Sequence, residues 1–234
     1  MGHNFGGTVV QCYSVGPVSG TSWVGGLAGG NGTFVSGAEE YEFAWVTRCY
    51  STGTVSGESC VGGLVGGLQC STVTQCYSTG TVSASGQDVG GLVGHNEGSI
   101  TTSYSTSAVS GRSCVGGLAG RNGSRHPGDE ENVGRVTRCY SMGTVSGTLF
   151  VGGLVGAGWS GLVTGSFWDT QTSGQTSSVV GTGKTTAEMQ TAKTFLDAGW
   201  DFVGETANGT EDIWWINEGK DYPRLWWEGD GTSP

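Results

Sequence analysis

Cys76-Tyr77-Ser78-Thr79-Gly80-Thr81-Val82-Ser83, followed by Val89-Gly90-Gly91-Leu92-Val93-Gly94, is the stretch that decides the fold. The second segment recurs as Val-Gly-Gly-Leu-(Val/Ala)-Gly from Val24, Val61, Val89, Val115 and Val151, and variants of the first segment precede each copy. Units this small cannot bury a core alone, so stability must come from stacking on similar neighbours. Cys12, Cys49, Cys76, Ser103, Cys139 and Ser166 hold one place in the repeat, with steps of 37, 27, 27, 36 and 27 residues. The basic unit is therefore 27 residues long, lengthened twice by linkers.

Each unit reads as three short extended segments, typified by 73–76, 79–82 and 89–93, with Gly, Asn and Ser between them. Three strands per unit at this period predict a parallel β-solenoid in which equivalent residues stack about 4.8 Å apart. Tyr13, Tyr50, Tyr77, Tyr104 and Tyr140 then form an aromatic ladder that Phe167 extends. Strict alternation fails in two places: Val61 and Leu64, and Val73 and Cys76, are three apart. The pair Gly62-Gly63 is expected to form a bulge or corner that turns Val61 and Leu64 inward. Which columns face the core stays open at this point.

With 47 Gly, 4 Pro, 35% hydrophobic and 13% charged residues, the composition suits short strands and tight turns rather than a charged disordered chain. The net charge of -10 divides into about -3 for 1–165 and -7 for 166–234. That sign disfavours nucleic acid and anionic membrane as partners. No apolar run approaches a membrane span, and no export signal precedes the repeats; Gly2-His3-Asn4 already matches Gly94-His95-Asn96 in mid-repeat, so the chain reads as a fragment or as one that has lost its start. The cysteines follow the repeat, with Cys60 and Cys114 sharing a second column with Trp23, Asp88 and Phe150. A buried thiol ladder is favoured over disulfides, and no metal or other cofactor is expected, because no Cys-x-x-Cys pair or nearby His completes a ligand set.

The tail, 166–234, carries six of the nine tryptophans and reads as a capping module over the last coil, with a dedicated binding module as the other reading. Thr185-x-x-Glu188 is a capping box opening a helix through about Leu196, with Gly199 near its end. Strands are expected at 213–216 and 225–227, around an Asn217-Glu218-Gly219 turn.

The linkers, Gly30 to Arg48 and Arg121 to Arg138, are read as insertions at one corner, three coils and about 14 Å apart. Loops on a rigid scaffold are the natural place for recognition. The candidate binding residues are Glu39, Tyr41, Phe43 and Trp45 in the first insertion and Arg121, Arg125, His126 and Asp129 in the second. Aromatics beside carboxylates can stack on a sugar or dock a protein, or simply fold back over the solenoid. Asn31-Gly32-Thr33, Asn122-Gly123-Ser124 and Asn208-Gly209-Thr210 match glycosylation sequons but read better as Asn-Gly turns. Glu58, Asp88 and Arg112 lie near the motif on successive repeats, where a polysaccharide-cleaving site could be imagined, yet they read as exposed charges. Thr52-Gly53-Thr54 and Thr79-Gly80-Thr81 would suit an ice-binding lattice, but the other repeats break it.

Val61-Gly62-Gly63-Leu64-Val65-Gly66, with Cys76-Tyr77-Ser78-Thr79-Gly80-Thr81-Val82, resembles the GLUG repeat, and the resemblance covers most of residues 2–165. The tail from Phe167-Trp168-Asp169 to Tyr222-Pro223-Arg224-Leu225-Trp226 looks like the segment that commonly closes such arrays. The resemblance implies bacterial surface or secreted proteins, among them adhesin-like proteins and the non-catalytic parts of some immunoglobulin A peptidases, and brings no catalytic residues. The expectation is an all-β, right-handed β-solenoid of about five coils, 1–165, with an aromatic-rich capping module, 166–234. It is expected to be a structural or adhesive segment, not an enzyme, binding a glycan or a host or matrix protein as a monomer or as part of a larger chain. A polysaccharide-processing enzyme and an ice-binding protein are the alternatives.

Overall fold

In a computed structural model that describes residues 1–32, 43–124, 133–158 and 161–229, the chain is an all-β parallel solenoid. Each unbroken turn has four strands rather than the three expected. In one turn they are Tyr77–Ser78, Thr81–Ala84, Gln87–Gly90 and Val93–Thr101. Equivalent strands pair in parallel, Tyr77 with Tyr50 and Tyr104, Val82 with Val55 and Val109, and Val89 with Val61 and Val115. The register of the repeat is thus the register of the sheets. Gly2-His3-Asn4 falls where the internal match places it, with His3 paired to Gly30 and Asn4 to Asn31.

The parity breaks are corners. Val61 and Leu64 are both fully buried, because the chain turns at Gly63 and Leu64 between the strands Ser59–Gly62 and Val65–Thr74. Between Val73 and Cys76 the break is made by Gln75, whose φ of 51° is left-handed. Gln11, Arg48, Thr102, Arg138 and Gly165 occupy the same place with φ from 42° to 54°. A left-handed non-glycine residue costs about 1–2 kcal/mol, so the corner must be well held. The corner N–H groups of Arg48 and Gln75 donate to Thr74 and Thr101 of the next turn at 3.1 and 3.3 Å. The following N–H is met by the Cys/Ser column: Cys49 N donates to Cys76 Sγ at 3.3 Å, Cys76 N to Ser103 Oγ at 3.0 Å and Cys139 N to Ser166 Oγ at 3.0 Å. Each column hydroxyl or thiol in turn donates to the carbonyl two residues back, as from Cys76 to Thr74 at 3.1 Å and from Ser103 to Thr101 at 2.6 Å. A small side chain that both accepts and donates is what the position needs, which explains why Cys and Ser interchange. The cysteines are free thiols; burial pushes Cys139 up to about 12 and holds Cys76 well above the ordinary thiol range, so both stay protonated.

The motif glycines follow from close approach. A side chain at Gly62 would overlap the Val65 carbonyl, and one at Gly63 would overlap Gly91 and the Ser78 hydroxyl of the neighbouring turn. This Gly-Ser contact divides the interior into two lobes. One is lined by Leu64, Leu92, Leu118, Val73, Ile100 and their equivalents, the other by Val61, Val89, Val115, Val82 and theirs.

The tyrosines point outward and stack with centroids 4.9 to 5.2 Å apart and planes within 10°. Here the tail differs from the expected end cap. The solenoid does not stop at residue 165: Phe167–Asp169 pairs with Tyr140–Ser141, and Thr182–Lys184 pairs with Phe167–Asp169. The last turn is covered by 174–184, where Ser177 O accepts from Gly153 N at 3.0 Å and Ser178 Oγ from Val155 N at 2.9 Å. The aromatic remainder lies along the flank, over the tyrosines. Trp200, Trp214 and Phe195 are fully buried against Tyr104, Tyr140 and Phe167, and Trp227 covers Tyr50 and Tyr77. Exposure accordingly falls from 63% at Tyr13, beyond the reach of the tail, to 1% at Tyr140. Buried Asp169 ties the two parts together, accepting from Gln171 N, Thr172 N, the Thr186 hydroxyl and the Tyr222 hydroxyl. The Thr185 capping box forms, but the helix it opens ends at Met189 and a second runs Ala192–Leu196, with Gly199 left-handed at φ 80° beyond it. Trp214–Trp215 and Arg224–Leu225 form the antiparallel pair around the Asn217–Gly219 turn, and 226–228 is a 3-10 turn rather than strand.

Cys76→Ser is expected to change unfolding free energy by less than about 1 kcal/mol, whereas Cys76→Ala, which strands Cys49 N, costs about 1–3 kcal/mol in urea titration. Glu228 accepts from the Tyr104 hydroxyl at 2.6 Å and Leu225 N at 2.8 Å, yet its burial raises the carboxyl above the ordinary range. A raised folded value favours the protonated form, so this contribution is full below the unfolded pKa and lost as pH rises through the folded one. Acidification toward the carboxylate range should therefore raise the melting temperature of the tail, followed by tryptophan fluorescence, through this group. Glu228→Gln should remove that part of the pH dependence.

Candidate functional site: the cleft between the insertions

The strands Val65–Thr74 and Val93–Thr101 run unbroken along one face, while the turns on either side are split there, into Ala28–Asn31 and Trp45–Thr47 and into Ala119–Asn122 and Arg135–Thr137. The insertions therefore interrupt the middle of a face and not a corner. Gly32 and Gly123 begin them with φ of 100° and 94°. In the first unbroken strand the same place is marked by a shift of register between Gln69 and Thr72, with Cys70 at φ 49°. Asn31 and Asn122 are fully buried: Asn4 Nδ2 donates to Asn31 Oδ1 at 2.7 Å, and Asn96 Nδ2 to Asn122 Oδ1 at 2.6 Å. These two sequons are thus structural turns, with no side chain available to a glycan.

Pairing sets Trp45, Thr72, Ser99 and Arg135 side by side across the face. Above them is an open cleft of about 470 Å³ whose floor is Cys70, Ser71, Thr72, Glu97, Gly98 and Ser99, with Phe43 on one wall and Val133 and Arg135 on the other. Phe43 and Trp45 are 58% and 43% exposed, with ring centroids 6.4 Å apart. Glu97 is half-buried and accepts from Gln69 Nε2 at 3.5 Å. The cleft thus offers an apolar aromatic wall, a cationic wall and an acid in the floor.

Of the residues singled out from sequence, Glu39, Tyr41, Arg125, His126 and Asp129 lie outside the described residues. Phe43 is at the cleft and Trp45 stands beside it. Arg121 is elsewhere: it belongs to the strand Ala119–Asn122, is buried, and is committed to Asp88, with Nε and Nη2 at 3.0 and 2.9 Å from Oδ1. Its Nη2 also donates to Cys114 Sγ at 3.2 Å. Asp88, expected among exposed charges, is fully buried, while Glu58 and Arg112 are exposed, so the three do not share one site. The reason lies in a second column of left-handed corners, Trp23, Cys60, Asp88, Cys114 and Phe150, with φ from 52° to 61°. That conformation directs Asp88 toward the residue just after the motif, which is Arg121 one turn on. Cys70, Glu97 and Arg135 were missed as cleft residues because only the pairing of the split strands brings them together. Thr52, Thr54, Thr79 and Thr81 are exposed, but Val15, Pro17 and Ala108 interrupt their rows.

No helix among the described residues is long and apolar enough to cross a membrane. Residues 57–83 and 85–110 match the GLUG motif, and the chain carries GLUG repeats. A protein of Evansella cellulosilytica, assigned by name only as a Gly-rich membrane protein, is 37% identical over 109 residues, a segment that is 47% of this chain and 11% of the relative. The chain thus corresponds to about a tenth of that relative's length. A crystal structure from Bacteroides ovatus, likewise assigned by name as an immunoglobulin A1 protease, overlays 94% of this chain and 57% of its own with 19% identity and a TM-score of 0.46.

Arg121→Ala strips buried Asp88 of its cation and is expected to cost about 3–5 kcal/mol in denaturant unfolding. Adding Asp88→Ala to the same chain should recover most of that loss, which marks Arg121 as a residue of the scaffold.

Proposed function

We propose that this GLUG-repeat chain is the structural and adhesive segment of a bacterial surface or secreted protein, a right-handed β-solenoid of about five coils that binds a glycan or a protein in the cleft between its two insertions. Right-handedness follows the general preference of parallel crossovers. The observation that carries the reading is the cleft itself, with exposed Phe43 and Trp45 facing Arg135 across Glu97. Aromatic faces stack on the apolar side of a sugar ring, while a carboxylate and a guanidinium meet its hydroxyls or an acidic substituent. The described ends of the two insertions, Phe43 and Val133, line this cleft, so Glu39, Tyr41, Arg125, His126 and Asp129 are proposed as part of the same recognition surface, and Arg121 is withdrawn from it. The scaffold suits such a role, since the two central turns cross this face as the unbroken strands Val65–Thr74 and Val93–Thr101. Binding, rather than turnover, is the role assigned. Localisation at the surface or outside the cell is supported by the GLUG repeats and by the name of the Gly-rich relative.

A glycan array and a panel of matrix proteins, probed with the purified chain, test this directly. Replacing Phe43 and Trp45 together by Ala is expected to weaken the captured ligand at least tenfold, about 1.4 kcal/mol, with the melting temperature unchanged. Ligand binding that survives the double replacement, with Arg135→Ala also silent, removes the cleft as the site.

A further inference from the structure

The corner column that buries Asp88 also assembles a donor set that no spacing in the sequence announces. One donor atom each from Cys60, Asp88 and His95 lies within 4.8 Å of the others, and all three residues are buried. Cys60 and Asp88 stand on successive turns, immediately before the paired valines Val61 and Val89, while His95 follows the motif in the same turn as Asp88. We propose that these three side chains bind a thiophilic divalent transition-metal ion of the zinc type.

The chemistry of the set is the first argument. Thiolate, imidazole and carboxylate are the three ligand types that zinc accepts, at about 2.0–2.3 Å, which gives tetrahedral edges of roughly 3.5 Å. Drawing the donors together by about an ångström completes that geometry. Three protein ligands leave a fourth position for water or for an incoming carboxylate. Hard oxygen-seeking ions such as calcium or magnesium do not suit a site that contributes one carboxylate, one imidazole and one sulfur.

The state of His95 is the second, independent argument. The residue is buried, with 9% of its surface exposed, yet Nε2 makes no hydrogen bond: Glu97 Oε1 is 3.4 Å away but poorly aligned. A buried imidazole nitrogen without such a bond is costly unless something else uses it. The ring is held in place by Trp23, stacked on it with a centroid distance of 6.1 Å and an interplanar angle of 15°. Arg121 holds the Asp88 carboxylate in place from the next turn, with Nε 3.0 Å from Oδ1, as an outer-sphere cation orients a ligating carboxylate. Cys114, next in the column, is engaged by Arg121 and is not among the ligands.

The three ligands lie outside the recognition cleft, which they border only through Glu97, and failure of this site would leave the adhesive reading untouched. The test uses the reduced, chelator-treated chain with Zn²⁺ alone and then Co²⁺ as a spectroscopic probe. Equilibrium dialysis should return about one Zn²⁺ per chain with a rise in melting temperature, and Co²⁺ should give a thiolate-to-cobalt charge-transfer band with tetrahedral d–d absorption. Cys60→Ser and His95→Gln should each weaken Zn²⁺ at least tenfold, while Cys70→Ser leaves it unchanged. The Co²⁺ spectrum of the unaltered chain decides the matter even if a variant misfolds. Absence of the charge-transfer band, or stoichiometric uptake that survives both ligand replacements, overturns the site.

Discussion

Everything in this solenoid depends on how a turn of 27 residues closes its corners. A flat strand alternates its side chains strictly, so a chain that must put Val73 and Cys76 both inward needs a residue that breaks the alternation. The break is a left-handed residue, and in most turns it is Gln, Arg or Thr rather than Gly. Such a residue is tolerated because its own N–H finds a carbonyl in the next turn and the N–H that follows finds the Cys or Ser side chain there. The corner is therefore stable only when stacked. Repetition is thus a physical requirement of the conformation, since a lone turn would keep the backbone strain and lose the acceptors.

The outward tyrosines pose the complementary problem. A ladder of stacked rings on a solvent-facing sheet leaves a broad apolar flank, and most of the tail answers it with a second aromatic layer in addition to capping the end. Polar ties fix the register of that layer: the Tyr104 hydroxyl donates to Glu228, the Tyr140 hydroxyl to Pro223 O at 2.6 Å, and Trp200 Nε1 to Gly165 O at 2.8 Å. The end itself needs less. Trp168 takes the place that Ser141 and its equivalents hold in the earlier turns, filling the space at Gly153, and residues 174–184 add a last partial turn. Asp169, one residue beyond Trp168, joins that end cap to the flank layer.

The period, the columns and the tyrosine ladder were legible in the sequence because they are properties of spacing alone. The Gly62-Gly63 corner was also legible, since paired glycines announce close approach. Left-handed Gln75 or Asp88 announces nothing, which is why the direction of each column, the fourth strand and the buried state of Asp88 escaped notice. Cys and Ser at one position looked like tolerant packing, whereas a shared hydrogen-bond pattern makes them equivalent. Phe43 and Trp45 could be found by exposed aromaticity beside acids. Glu97 and Arg135 could not, because their neighbourhood exists only once the split strands pair. Cys60, Asp88 and His95 are separated by one turn and then by the width of the motif, a pattern unlike any linear ligand motif.

Glu97 joins the two candidate sites physically. Its strand, Val93–Thr101, is one of the two that cross the face without interruption, so its carboxylate is carried on continuous sheet paired on both sides. One side of Glu97 looks into the cleft, and its Oε1 is 3.4 Å from His95 Nε2 at the buried corner. Its two oxygens are divided between neighbours, Oε2 toward Gln69 Nε2 at 3.5 Å and Oε1 toward His95. How Oε1 is engaged at the corner therefore sets how much of the Glu97 acceptor capacity faces the cleft. The strand also limits what adjustment is available: with Asn96 buried in its side-chain ladder and Gly98 packed against Ser71, the backbone on either side of Glu97 has no room to shift. Any coupling between the corner and the cleft must then pass through this side chain, by its rotamer and its hydrogen bonds, and not through movement of the sheet.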